Sequence, residues 1–168
     1  PDLTARVFQT IRQARPSRLF VAADGPRKAM REEGLICEKV RDIATKVDWP
    51  CSVIKLFHKD NLGCRKAVST AIDWFFEQVE EGIILEDDCL PFPDFFRFCE
   101  TILERYRNDS RVMQVCGSNI HRHLSRNTDY SYHFGYYGCI WGWATWQRAW
   151  VYNDTEALLF NEIDREGF

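Results

Sequence analysis

Apolar residues recur along this chain with two periods that take turns, one near 3.6 and one near 2, and the alternation predicts its elements. Leu3, Val7, Ile11 and Ala14 follow Asp2, a fair N-cap, at helical spacing, predicting a helix over about residues 3–15. Arg18 to Ala23 is a short apolar run stopped by Asp24-Gly25-Pro26, the pattern of a strand and its turn. A second helix is expected over Glu32 to Val47, with Ile36, Val40, Ile43 and Val47 inward, and a strand over Cys51 to Phe57. Asn61-Leu62-Gly63 then leads into a helix whose Val68, Ala71, Ile72, Phe75, Phe76 and Val79 form one broad apolar face. The run Gly82-Ile83-Ile84-Leu85 is the next strand. Asp94 can cap a helix with Phe95, Phe98, Cys99, Ile102, Leu103 and Tyr106 on one side, and Val112 to Cys116 is again a strand. Helices alternating with strands imply an α/β fold with a mainly parallel sheet and right-handed crossovers. Past Asn119 the character changes. Tyr130, Tyr132, Phe134 and Tyr136 alternate like an outlying strand, and Trp141 to Trp146 is rich in tryptophan.

The chain has 168 residues, of which 45% are hydrophobic and 28% charged, a balance that supports one soluble domain. Its formal charge of −3 argues against a nucleic-acid groove, which needs a basic stripe, but leaves sugar nucleotides allowed where a metal ion supplies positive charge. Seven cysteines, none in a Cys-x-x-Cys pair, argue against zinc and for free thiols in a reducing cytoplasm. No stretch is long and apolar enough to span a membrane, so the expected location is cytoplasmic, at most peripheral to a membrane.

The chemistry concentrates at Glu86-Asp87-Asp88, directly behind the apolar strand. Three neighbouring anions repel one another, and a divalent cation or a hydrogen-bonding ligand is the usual compensation. Hard carboxylate oxygens suit Mn2+ or Mg2+, and one or two carboxylates together with substrate phosphates commonly hold such ions. The alternative is a solvated loop whose acids cap the following helix. Position favours a site, because ligands of open α/β sheets gather outside the carboxyl ends of the strands.

An apolar strand ending in Glu86-Asp87-Asp88, then Cys89-Leu90-Pro91 and Asp94-Phe95-Phe96 opening a helix, resembles the acidic motif of GT-A-fold sugar-nucleotide glycosyltransferases. The resemblance is nearest to the N-acetylglucosaminyltransferase I group and its bacterial relatives. Ala23-Asp24-Gly25 at an early strand end, Asn61-Leu62-Gly63 before a helix and the Gly142-Trp143 pair add to it in order. The resemblance implies a three-layer Rossmann-like fold, here truncated at both ends: residues 1–118 as the nucleotide-sugar half and 119–168 as the acceptor-side half. It implies a metal-dependent transferase that moves a sugar from a nucleoside diphosphate donor, UDP-linked, to a glycan hydroxyl with inversion. Asp88 would ligate the metal, and Glu86 and Asp87 would hydrogen-bond the ribose or donor sugar. Asp24 resembles the acid that meets the nucleotide base, or it is simply an Asp-Gly-Pro turn former.

Asn61, Arg65 and Lys66 fall near where this group approaches its donor, though Arg65 and Lys66 also read as a solvated helix face. Trp143 is a candidate stacking floor for a sugar or a core residue; Trp146 reads as core. His121 and His123 read as a solvated loop. Relatives open with a strand before the first helix, and the chain begins at Pro1 where such a strand would end. Their catalytic carboxylate lies in a later Trp-Asp-rich segment, expected beyond Phe168, so no catalytic base is assigned and the fragment by itself is expected to be inactive. Two competing readings are a nucleotidyltransferase or metal phosphoesterase, and a non-catalytic nucleotide- or sugar-binding module.

Overall fold

A computed structural model describes residues 1–30, 32–118 and 130–158. The elements follow in the order α1 (Asp2–Ala14), β1 (Arg18–Ala23), α2 (Glu33–Thr45), β2 (Ser52–Phe57), α3 (Cys64–Phe76), β3 (Glu81–Ile84), α4 (Asp94–Tyr106), β4 (Gln114–Cys116), β5 (Trp143–Trp146) and α5 (Gln147–Trp150). The protein is therefore mixed α/β, and the helical and extended segments read from periodicity stand within a residue or two of these bounds, except that the face read to Val79 outruns α3 and the alternation at Tyr130–Tyr136 makes no strand. Asp2 and Asp94 lie in the first turns of α1 and α4, where a carboxylate meets the helix dipole favourably, but neither makes a side-chain cap; Pro1 and Pro93 hold the cap positions.

The sheet departs from the mainly parallel expectation. β1 and β2 pair in parallel, whereas β3 and β4 both pair antiparallel with β5, which lies between them. Among the described residues one of the three ladders is parallel. The reason is β5: its Trp143-Ala144-Thr145-Trp146 run is buried at all four positions, so it is a central strand supplied by the late part of the chain. Tyr130 to Tyr136 forms no strand. Tyr132 instead tucks its hydroxyl 2.8 Å from that of Tyr106 and stacks edge-on among Tyr106 and Phe134, an aromatic satellite that alternation alone does not distinguish from a strand.

Two clusters make the core. The larger joins Phe95, Cys99, Ile102 and Leu103 of α4 to Val115, Ala144 and Trp146, and the smaller joins Ile72 and Phe76 of α3 to Trp143. Burial pushes the Cys99 thiol up to about 12, as expected of a structural cysteine. The amphipathic spacing on α4 is what places four apolar side chains against β4 and β5, each such burial being worth roughly 1.5–3 kcal/mol. By contrast, β1 and β3 contain no fully buried residue despite their apolar sequences, and they share no ladder.

Candidate functional site

The carboxyl ends of β1 and β3 meet at one cavity of about 580 Å³ whose lining includes Asp24, Glu86 and Asp87. Asp24 and the acidic triplet thus share one edge of the fold, although the two strands belong to separate ladders.

The two acidic regions are built differently. Asp24 follows β1 directly, and its carboxylate collects the N–H groups of Gly25 at 2.8 Å, Leu62 at 2.8 Å and Gly63 at 3.0 Å, together with the side-chain amide of Asn61 at 2.9 Å. A carboxylate offers about four lone-pair directions, and four donors fill them. The Asn61 amide also donates to the Gly25 carbonyl at 3.0 Å. Asp24 therefore clamps the loop that launches α3, which is the turn-forming alternative of its sequence context. Gly63 needs no side chain at this point: it caps α3 at φ +82°, in the left-handed region that favours glycine. Arg41 of α2 fastens the same corner from beneath, donating to the carbonyls of Asp24 at 3.0 Å and His58 at 2.7 Å while its guanidinium lies over the Phe57 ring.

Glu86, Asp87 and Asp88 instead ride on a tight turn closed by the Cys89 N–H to the Glu86 carbonyl at 3.1 Å. Asp87 and Asp88 are exposed at its tip. Asp87 accepts the hydroxyl proton of Thr4 at 3.3 Å, which explains how a threonine in the first turn of α1 is buried and satisfied. Among the described residues Asp88 receives only the weak Cys89 thiol at 3.7 Å. Burial is the main cause that raises the Cys89 thiol, with a backbone hydrogen bond from Glu86 opposing it and the charges of Asp88 and Glu86 adding to it. Oxygens of this turn are thus largely unspent, where those of Asp24 are used up.

No three His, Cys, Asp or Glu side chains form a ready cation cage among the described residues. The donor set of the turn nonetheless fits a hard divalent ion in the common manner, with one or two carboxylates supplied by protein and the remaining oxygens by phosphate and water.

The other sequence candidates are not gathered here. Arg65 points away to an exposed ion pair with Glu156 at 3.3 Å and does not line the cavity. The suggested stacking role of Trp143 is corrected: only 7% of it is exposed, it sits in β5 against Phe76 and Ile72, and its ring lies 6.2 Å from Trp150, so no sugar face reaches it. Trp146 is core, as read. His121 and His123 lie outside the described residues. Sequence reading missed Thr4, Arg41 and His58. His58 lines the cavity, and its buried Nε2 has no hydrogen-bond partner among the described residues. Only its place just past the β2 run, level with Asp24 past β1, could have signalled it.

Comparison with protein-family models, with curated proteins and with solved structures finds no match to this chain. No helix among the described residues is long and apolar enough to cross a membrane.

Proposed function

We propose that this chain carries the donor site of a metal-dependent glycosyltransferase that moves a sugar from a nucleoside diphosphate, UDP-linked, to a glycan hydroxyl with inversion, in a complete enzyme of three-layer GT-A type. The observation that supports it most is the turn Glu86–Cys89, which holds three carboxylates at the end of β3, beside the cavity mouth, with most of their oxygens uncommitted. Such a concentration of unpaired anions is costly without a ligand and well suited to one bearing cation and hydroxyl groups.

In this reading Asp88, exposed at the tip of the turn and met by the weak Cys89 thiol, would hold Mn2+ or Mg2+. The ion supplies Lewis acidity to the diphosphate leaving group. Glu86 accepts from hydroxyls of the ribose or donor sugar. Asp87 does so with its remaining lone pairs while its bond from Thr4 fixes the turn to α1. Asp24 contributes by holding the Asn61–Gly63 loop in place at the cavity rim rather than by meeting the base itself.

The test is calorimetric titration of the full-length gene product with UDP. Binding heat is expected with manganese present, and an affinity weaker by about tenfold or more with chelator, because the diphosphate then faces the acids unshielded. Equal affinities in the two conditions would overturn the metal-dependent donor site and favour a metal-free binding module.

A further inference from the structure

The end of β4 and the run of chain leading into β5 bring two cysteines into contact. We propose that Cys116 and Cys139 are a redox-modifiable pair, closed to a disulfide by exchange with a low-molecular-weight disulfide and reopened by small thiols.

The contact is direct: the Cys139 N–H donates to the Cys116 Sγ at 3.2 Å. A sulfur at that distance from the nitrogen stands about 4 Å from the Cα of Cys139 and about 3 Å from its own, so the two Cα atoms are at most about 7 Å apart, the span a disulfide bridges. The residues are 23 positions apart in sequence, so the approach is made by the fold. The backbone on both sides of the pair is fastened. Gln114 Nε2 donates to the Cys139 carbonyl at 2.8 Å, the Gly117 N–H to the Gly142 carbonyl at 2.9 Å and the Ser118 hydroxyl to the Trp141 carbonyl at 2.9 Å. A Cβ on Gly138 would stand 2.2 Å from the Gln114 side-chain oxygen, so this run is pressed against β4. Such tethers keep the two sulfurs together before any bond forms, which favours ring closure over reaction with a second molecule. Cys116 and Cys139 are half-buried and open to a small reagent, whereas the neighbouring thiol of Cys99 in α4 has no exposed surface.

The chemistry runs in two exchanges. The Cys139 thiolate attacks one sulfur of the small disulfide, forming a mixed disulfide and expelling the first small thiolate. The Cys116 thiolate then attacks the Cys139 sulfur and expels the second. The protein loses two protons and two electrons as two thiols become one disulfide, and the small disulfide takes them up to become two thiols. Burial raises the Cys116 thiol, with the bond from the Cys139 N–H opposing it and the charge of Cys139 adding to it, which suits Cys116 to the second step, where proximity replaces intrinsic reactivity. Under a reducing poise the pair stays as two thiols, and a rise in small disulfide closes it.

Closed, the bond ties residues 138–142 to β4. Gly142, at φ +71°, ends that run where a Cβ would lie 3.4 Å from Leu85 and 3.7 Å from Phe95, against the strand end that carries Glu86. Oxidation therefore stiffens this edge of the protein and reduction releases it, whatever the acids bind.

The test is peptide mapping of the native full-length gene product after equilibration in buffers of graded reduced and oxidised glutathione, with remaining thiols blocked before tryptic digestion. Cleavage at arginine separates Cys99, Cys116 and Cys139 into the peptides 98–105, 112–122 and 127–148, each with one cysteine, so the partner of every sulfur is read from mass. A link between 112–122 and 127–148 should form at least about tenfold more than any other pairing of the seven cysteines, reverse with excess reduced glutathione, and lose its preference when the same treatment is made in denaturant. Cys116→Ser should leave Cys139 as a stable glutathione adduct. A link from Cys116 to Cys99, glutathione on Cys139 of the unmutated protein with no internal link, or a preference that persists in denaturant would each overturn the proposal.

Discussion

Two acidic corners stand at one edge of this protein, and their carboxylates are in opposite states. Asp24 is surrounded by four donors from its own neighbourhood, whereas the turn of Glu86, Asp87 and Asp88 receives one hydroxyl and one thiol across three side chains. A saturated carboxylate organises a loop; an unsaturated one is available to a ligand. The lesson is that an acid near a site is assigned by where its lone pairs go, not by its distance to the cavity.

The sharpest attack on that contrast exchanges charge for shape. If the proposed transferase reading holds, Asp88→Asn should lower turnover by about a hundredfold or more, the scale of losing one key electrostatic stabiliser, with the circular dichroism spectrum unchanged. Full activity with an unchanged manganese requirement would return the triplet to a solvated loop and erase the difference between the corners.

Asp24→Ala should act on the other axis. It leaves the N–H groups of Leu62 and Gly63 without their acceptor, and urea unfolding should show a loss of about 1–3 kcal/mol. Donor affinity should then fall only as far as the loop is loosened. A variant as stable as the parent but unable to bind UDP would show that Asp24 touches ligand after all.

Gly25→Ala probes the same corner without touching charge. Its new methyl would lie 2.5–2.7 Å from backbone atoms of Asp60, so the loop must shift, at a cost of about 1–2 kcal/mol read by thermal or urea unfolding. A neutral result would mean the Asp24 clamp tolerates movement.

The smallest effect is the acid background against which both corners are read. The side-chain bond from Arg111, with help from its backbone N–H, holds Asp109 down to about 2; bonds from Arg27 lower Glu33, and one from Arg12 lowers Asp48. Depressed carboxylates add stability that is present above their unfolded values near 4 and is lost as pH falls, here between about 4 and 2. All three are exposed pairs, so the loss should be slight and should shrink in high salt, as unfolding measured across that range would show. A steep, salt-resistant collapse would implicate buried acids instead.

Much of the architecture was legible before folding. Helical spacing in α1, α3 and α4, and short apolar runs for β1, β2 and β3, are properties of neighbouring residues, and they survive in the fold nearly residue for residue. The acidic triplet was legible for the same reason, since three adjacent carboxylates behind an apolar strand are a local pattern. Trp143 could not be decided between its two readings because a tryptophan suits a stacking floor and a core equally well, and its burial in β5 between Ile84 and Cys116 selects the core.

The sequence by itself therefore determined the order and kind of most elements and the position of the spare acids at a strand end, because period and adjacency are written locally. Tertiary structure alone decided three matters. It inserted β5 between β3 and β4, turned two ladders antiparallel, and spent the Asp24 carboxylate on a loop 37 to 39 residues away. Each depends on hydrogen bonds between distant segments, whose pairing is selected by the total burial and backbone satisfaction of the folded chain and leaves no period in the residues that make it.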